Sequence, residues 1–133
     1  MLNLTDIRNQ LLSYWSTNYN STPTLYENST LPDQLKVNPF VVFEIEFIRP
    51  RTVGNGANGS AVTRHRGFVA VTLYVPKGSG NKTSYSLSDT ILGLLSHKRL
   101  NGLTLDSGYV ENSGYDEEYY KTTIFVPFTA TVN

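Results

Sequence analysis

The 133-residue sequence contains no cysteine, and this absence removes several kinds of chemistry together. Disulfide bridges, thiolate metal ligands and a cysteine nucleophile are all excluded. Histidine is scarce too, since His65 and His97 are the only two, and neither lies in a spacing typical of a zinc site or a catalytic pair. We therefore expect no metal, no cofactor and no enzymatic activity.

Long apolar runs are also missing. No stretch approaches the roughly 20 residues that a transmembrane helix needs. The segment from Met1 to Asp6 lacks the basic and apolar regions of a signal peptide. The sequence thus predicts one soluble domain over residues 1–133, made inside the cell, because this length is typical of a single domain.

The formal net charge is zero, but the charges are segregated along the chain. Residues 1–48 carry two basic and five acidic side chains, and residues 49–99 carry eight basic and one acidic. Residues 100–133 carry one basic and five acidic side chains. Such segregation can steer complementary surfaces together. The charges could equally be neutralised within the fold.

Alternating apolar residues predict two strands in the middle of the chain, over 40–49 and 64–75. Residues 50–60 between them hold three glycines and two asparagines, which favours a connecting loop and a long antiparallel hairpin. We predict that residues 50–63 are mobile until they meet a partner. The candidate contact residues are Arg49, Arg51, Asn55, Asn58, Arg64 and Arg66. The alternative is a solvated loop whose arginines pair with Glu44, Glu46 or other acids of the same chain.

Helical spacing of apolar residues predicts two helices, near 6–17 with Thr5 as N-cap and near 82–97 with His97 at its end. Further strands are predicted over 24–26, at an edge, and over 103–110 and 119–130. Pro127 indicates an edge or a bulge, because proline lacks a ladder donor. The predicted fold class is α+β, a mainly antiparallel sheet with both helices on one face. Its predicted core comprises Leu11, Trp15, Phe43, Ile45, Val71, Leu73, Leu87, Ile91, Ile124 and Val126.

Two other motifs invite a functional interpretation. Gly78–Thr83 follows a strand like a phosphate-binding loop, but Asn81 stands where that motif needs glycine beside Lys82. The basic middle of the chain could bind nucleic acid, although the pI of about 6.7 and the lack of an aromatic-basic motif make this a minor alternative.

From Leu4 to Ala130, the order and texture of the chain resemble the phage tail terminator family. Pro39–Ile45 is similar to the family's strand that opens with proline and an aromatic residue, and Gly67–Pro76 is similar to its most recognisable strand, which ends in a hydrophobic-proline pair. Leu87–Leu92 resembles the following helix, and Tyr120–Phe128 resembles the closing strand.

This resemblance implies a structural virion protein with no catalytic residues. It would form a homohexameric ring that caps the tail tube, stops its polymerisation and joins the tail to the head-completion proteins of the neck. Its partners would be itself, the tail-tube protein and a neck protein, with no membrane and with DNA only as cargo. It would be assembled in the host cytoplasm. The alternatives are another neck or head-completion ring protein of the same particle and a small nucleic-acid-binding domain.

Overall fold

The computed structural model describes the backbone of residues 3–27, 39–55, 61–78, 81–115 and 118–132, and within 49–55, 61–63 and 131–132 only the backbone. Its elements are helices α1 (Leu4–Asn18) and α2 (Lys82–Leu95) and strands β1 (Thr24–Tyr26), β2 (Phe40–Asn55), β3 (Ala61–Pro76), β4 (Arg99–Leu100), β5 (Leu103–Leu105), β6 (Tyr109–Tyr115) and β7 (Tyr119–Val132).

The seven strands form one sheet, and six of them follow the order β1-β2-β3-β7-β5-β4. Strand β6 pairs with β7 on the side where β5 also pairs, so that β5 and β6 follow one another along β7. Only the edge pair of β1 and β2 is parallel, and every other pair is antiparallel. The predicted α+β class and the short edge strand over 24–26 are confirmed.

Both helices pack on one face of the sheet, which we call the helix face. The register pairs Phe43 with Val71 and Val71 with Ile124, and all three side chains are buried under the helices. Eight of the ten predicted core residues are buried, and Ile45 and Leu87 are half-buried against the same cluster. The alternation of apolar residues therefore predicted the correct face of each central strand.

The predicted loop over 50–60 is too long. Strand β2 continues to Asn55 and β3 begins at Ala61, and these two residues are opposite each other. Register shifts between Ile48 and Arg51 and between Thr52 and Gly54 accommodate the extra residues, because a bulge absorbs a residue that cannot pair. Residues 50–55 and 61–63 of the predicted mobile tip are thus paired strand, and residues 56–60 lie outside the described residues.

Helix α1 begins earlier than predicted, and Thr5 is not its N-cap. Asn3 caps the helix: its side chain accepts the Asp6 N–H at 2.8 Å, and the Asp6 carboxylate accepts the Asn3 N–H at 3.0 Å. This reciprocal pair satisfies two donors that the first turn would otherwise leave without partners. Thr5 lies within the helix.

Replacing Asn3 by alanine should lower the free energy of unfolding by about 1 kcal/mol, because it removes the side-chain oxygen that accepts the Asp6 N–H. Thr5→Ala is the matched control, and it should leave stability unchanged or slightly raised, since alanine has the higher helix propensity. Urea unfolding of the two variants measures the difference. A larger loss for Thr5→Ala would contradict Asn3 as the cap.

Helix α2 ends at Leu95, two residues before the predicted end. His97 is exposed beyond the helix with φ 58, in the left-handed region, and its N–H donates to the Asp106 carbonyl at 3.2 Å. It therefore lies in the turn after α2 and not at the end of the helix, where the sequence predicted it.

The predicted strand over 103–110 is in fact two strands, β5 and β6, separated by residues 106–108. At Gly108 a Cβ would lie 2.8 Å from Leu92 Cδ2 and 2.9 Å from Val126 Cγ2, so this close crossing requires glycine. The Asp106 N–H donates to the Pro127 carbonyl at 2.8 Å. Pro127 lies on the central strand β7, at the gap between β5 and β6, and is therefore neither on an edge strand nor at a bulge. Because no strand residue pairs with it on that side, the sheet does not need the backbone N–H that proline lacks.

Candidate interaction surface

Four arginines lie along the outer part of the β2–β3 hairpin, which we call the arm (residues 48–55 and 61–66). Arg64 is opposite Arg51, and Arg66 is opposite Ile48. Arg49 lies on β2 between these positions, and Asn55 ends the strand. The structure thus brings five of the six predicted contact residues onto one arm, and Asn58 lies outside the described residues.

The side chains of Arg64 and Arg66 are exposed. Neither forms an ion pair with a carboxylate of a described residue. For these two arginines the alternative interpretation, pairing with Glu44 or Glu46, is not what the structure shows.

Three carboxylates lie where β1 ends beside β2. The Glu27 carboxylate accepts the Ile45 N–H at 2.6 Å. This side-chain oxygen takes the place of the backbone carbonyl that a longer β1 would offer to β2. Burial, followed by the charges of Glu27 and Glu46, raises the pKa of Glu44 above its usual value. Within the described part of the chain, no group of His, Asp and Glu side chains is placed to hold a metal ion.

A groove of about 420 Å³ separates the first two turns of α1 from β2. Its lining combines six apolar or aromatic side chains with one hydroxyl, one basic and one acidic side chain, so that polar and apolar surface are present in similar amounts. The lining residues are Leu4, Thr5, Arg8, Leu12, Tyr26, Glu27, Phe43, Ile45 and Phe47. Leu4 and Phe47 are 50% and 42% exposed, which is high for large apolar side chains and marks the groove as open to solvent.

Exposed apolar side chains concentrate on two strands. Seven large apolar or aromatic side chains of the described residues are exposed, and five of them lie on β2 and β6. They are Phe47 at 42%, Ile48 at 39%, Tyr109 at 49%, Val110 at 38% and Tyr115 at 71%. The sequence reading missed those on β6, because it took residues 103–110 as one strand. The Asp106-Ser107-Gly108 turn signal could have divided that strand.

The sheet face opposite the helices is rich in aromatic rings. Phe40 stacks on Tyr74 with ring centroids 4.8 Å apart, and Tyr109 stacks on Phe125 at 5.4 Å. Phe68 meets Phe125 edge to face at 6.2 Å. These rings pack on one another across neighbouring strands, which stabilises the face of the sheet that neither α1 nor α2 covers.

Neither of the two described helices is long and apolar enough to cross a membrane.

No family model matches this chain, and no curated protein matches it. Among solved structures, 14 chains match. One of them has a TM-score of 0.70 and 14% sequence identity, covering 100% of this chain and 99% of that chain, and its name states no function. At this identity the likeness shows the shared fold alone, and the coverage shows that the fold extends over both chains.

Proposed function

We propose that this protein is a phage tail terminator, a ring-forming virion protein that caps the tail tube and joins it to the neck. The observation that carries the proposal is the place of the resembling segments within one fold. Phe40–Ile45 lies on β2, Gly67–Pro76 on β3, Leu87–Leu92 on α2 and Tyr120–Phe128 on β7. The resemblance would thus involve the central strands and the helix beside them, rather than scattered loops.

The arm supports the proposal from charge. A ring of identical subunits uses heterologous contacts, in which different patches of one chain meet. The arm carries Arg49, Arg51, Arg64 and Arg66, whereas residues 100–133 carry five acids and one lysine. Arginine can hold a carboxylate by two parallel hydrogen bonds, which fixes orientation. We propose that the arm meets carboxylates of the tube ring or of a neighbouring subunit.

Electron microscopy of tails assembled with and without this protein tests the proposal. Without it, tubes should grow beyond their normal length, and a labelled copy should mark the head-proximal end of normal tails. Tubes of normal length that fail to join heads would favour the alternative of another neck or head-completion protein. Binding to DNA that weakens steeply with salt, without a tail phenotype, would favour a nucleic-acid-binding domain.

The double variant Arg51→Glu with Arg64→Glu should fold normally but fail to cap. These positions are opposite each other, so the change exchanges one like-charged pair for another, and a charge such as that of the exposed Arg64 contributes little to stability. The thermal midpoint should barely move, whereas overlong tubes should appear.

The matched control is Lys98→Glu with Arg99→Glu, which changes the net charge equally at two exposed positions away from the arm. Capping by this control should be normal. Normal capping by the arm variant would remove the arm from the mechanism.

A further inference from the structure

Two edges of the sheet, one along β2 and one along β6, lack a strand partner among the described residues over much of their length. On one side β1 covers β2 only from Val41 to Phe43. On the other side β6 pairs with β7 and has no second neighbour among the described strands. A strand edge that exposes apolar side chains and unpaired backbone groups is a template for pairing with another chain.

The open edge of β2 begins at Phe47. The N–H groups of Val41 and Ile45 both point away from β3, since they donate to the Pro23 carbonyl and to the Glu27 carboxylate. Strand residues alternate in direction, so the Phe47 N–H points the same way. No described residue accepts it, and the edge therefore offers backbone pairing beside two exposed apolar side chains, Phe47 and Ile48.

The β6 edge ends in Tyr115, which is 71% exposed. On its inner side, Tyr115 contacts the Tyr120 ring at 4.8 Å, and the Lys77 ammonium lies 5.7 Å from its centroid. These contacts hold the ring in place while most of it stays in solvent. An exposed aromatic side chain beside a free strand edge is suited to enter an apolar pocket of a partner.

The groove beside β2 suits a tyrosine side chain. It lies directly next to Phe47, offers apolar and aromatic side chains to the ring, and carries Arg8 and Glu27, which could bond the phenol hydroxyl. The directions of the strands also agree. Strands β2, β3, β7 and β6 alternate, so a neighbouring copy in the same orientation would present β6 antiparallel to β2.

The spacing of charged and apolar residues matches between the two edges. Phe47 and Arg51 are four positions apart on β2, and Glu111 and Tyr115 are four positions apart on β6. In an antiparallel pairing that places Tyr115 beside Phe47, Glu111 therefore arrives at the level of Arg51. This complementarity between two parts of one chain favours a second copy over an unrelated peptide.

We infer that copies of this protein associate head to tail, with the β6 edge of one copy added to the β2 edge of the next and Tyr115 seated in the α1–β2 groove. Because the two edges differ, an assembly of two or more copies still has one open β2 edge at one end and one open β6 edge at the other. The contact can therefore repeat until a ring closes. Only the closure into a capping ring rests on the proposed function.

Thiol cross-linking of the full chain tests this contact, since the natural sequence has no cysteine. Thr5→Cys at the groove and Asn112→Cys on β6, whose side chain meets Thr122 on the helix face, are purified separately, and each is treated with a short bismaleimide alone and after mixing. We expect a cross-linked dimer in the mixture and none with either variant alone. Adding Tyr115→Ala to the Asn112→Cys chain should reduce the product at least tenfold. Tyr85→Ala, which removes another half-exposed tyrosine on α2, should not.

Three results would overturn the inference. The first is that no cross-linked dimer forms in the mixture at the highest soluble concentration. The second is that one variant alone gives as much cross-linked dimer as the mixture, which would indicate a symmetrical contact. The third is that Tyr115→Ala leaves the amount of cross-linked dimer unchanged. The tail-length experiment separates the two proposals. If the cysteine variants cross-link as expected but the natural protein does not cap tails, the contact is supported and the proposed function is wrong. Capping that survives Tyr115→Ala leaves the function standing and the contact wrong.

Discussion

Replacing Gly67 by alanine should destabilise the protein by about 3 kcal/mol, the upper end of what overpacking usually costs. A Cβ at this position would collide with the Glu46 carbonyl oxygen of β2 and would lie 2.7 Å from Phe128 Cζ and 2.8 Å from Phe128 Cε2. The carbonyl belongs to the paired backbone of the neighbouring strand and cannot withdraw without breaking the β2–β3 ladder. Urea unfolding followed by circular dichroism measures the loss.

The matched control for Gly67→Ala is Gly93→Ala in α2. A Cβ there meets nothing within 4 Å, and the position is exposed. Alanine should therefore stabilise the helix by about 0.5–1 kcal/mol, because glycine loses more backbone freedom on folding. The open space around Gly93 shows that this glycine does not serve close packing of α2 on the sheet. Similar losses at both glycines would contradict the steric argument for Gly67.

Replacing Trp15 by alanine should cost about 3–5 kcal/mol, as is usual for truncating a buried large aromatic side chain. Trp15 is 1% exposed, stacks on Tyr19 with centroids 4.3 Å apart and meets Phe43 at 5.1 Å. Its indole N–H donates to Thr24 Oγ1 at 3.1 Å, which ties α1 to β1. The variant would lose both the packing under the sheet and this link.

Two milder variants divide that loss. Thr24→Ala removes only the acceptor and should cost about 1–3 kcal/mol, the penalty of a buried donor without a partner. Trp15→Phe keeps an aromatic ring and should lie between Thr24→Ala and Trp15→Ala. Chemical unfolding of the three proteins under the same conditions gives the order. A Thr24→Ala loss as large as that of Trp15→Ala would show that the hydrogen bond, rather than the packing, dominates.

The fold class and the register of the central strands could be predicted because alternation fixes which side chains are buried. Val69, Val71 and Leu73 alternate with the smaller Ala70 and the polar Thr72, and all three lie on the helix face. The strand ends could not be predicted in the same way. Pro50 and the glycines after it favour a loop locally, but pairing with β3 and two bulges extend β2 to Asn55. That outcome depends on residues distant in the sequence.

The basic part of the candidate surface was visible in the sequence, since arginines flank the hairpin tip. The apolar part was not. Tyr109, Val110 and Tyr115 look like ordinary strand residues, and their exposure follows from β6 pairing with β7 on one side only. The groove likewise depends on how α1 lies against β2. Both are tertiary properties, which the local pattern of apolar residues does not encode.

The position of β7 has a consequence for biosynthesis. Strand β3 pairs with β2, which precedes it directly, and with β7, which the ribosome makes only after α2 and three short strands. While residues 77–118 are being made, the edge of β3 that later pairs with β7 therefore has no partner strand. The apolar side chains of β3 are then not yet packed against those of β7. A nascent chain at this stage has an additional unpaired strand edge, which can pair with another chain. We therefore expect aggregation to be most frequent at this stage on polysomes, where several copies are made side by side.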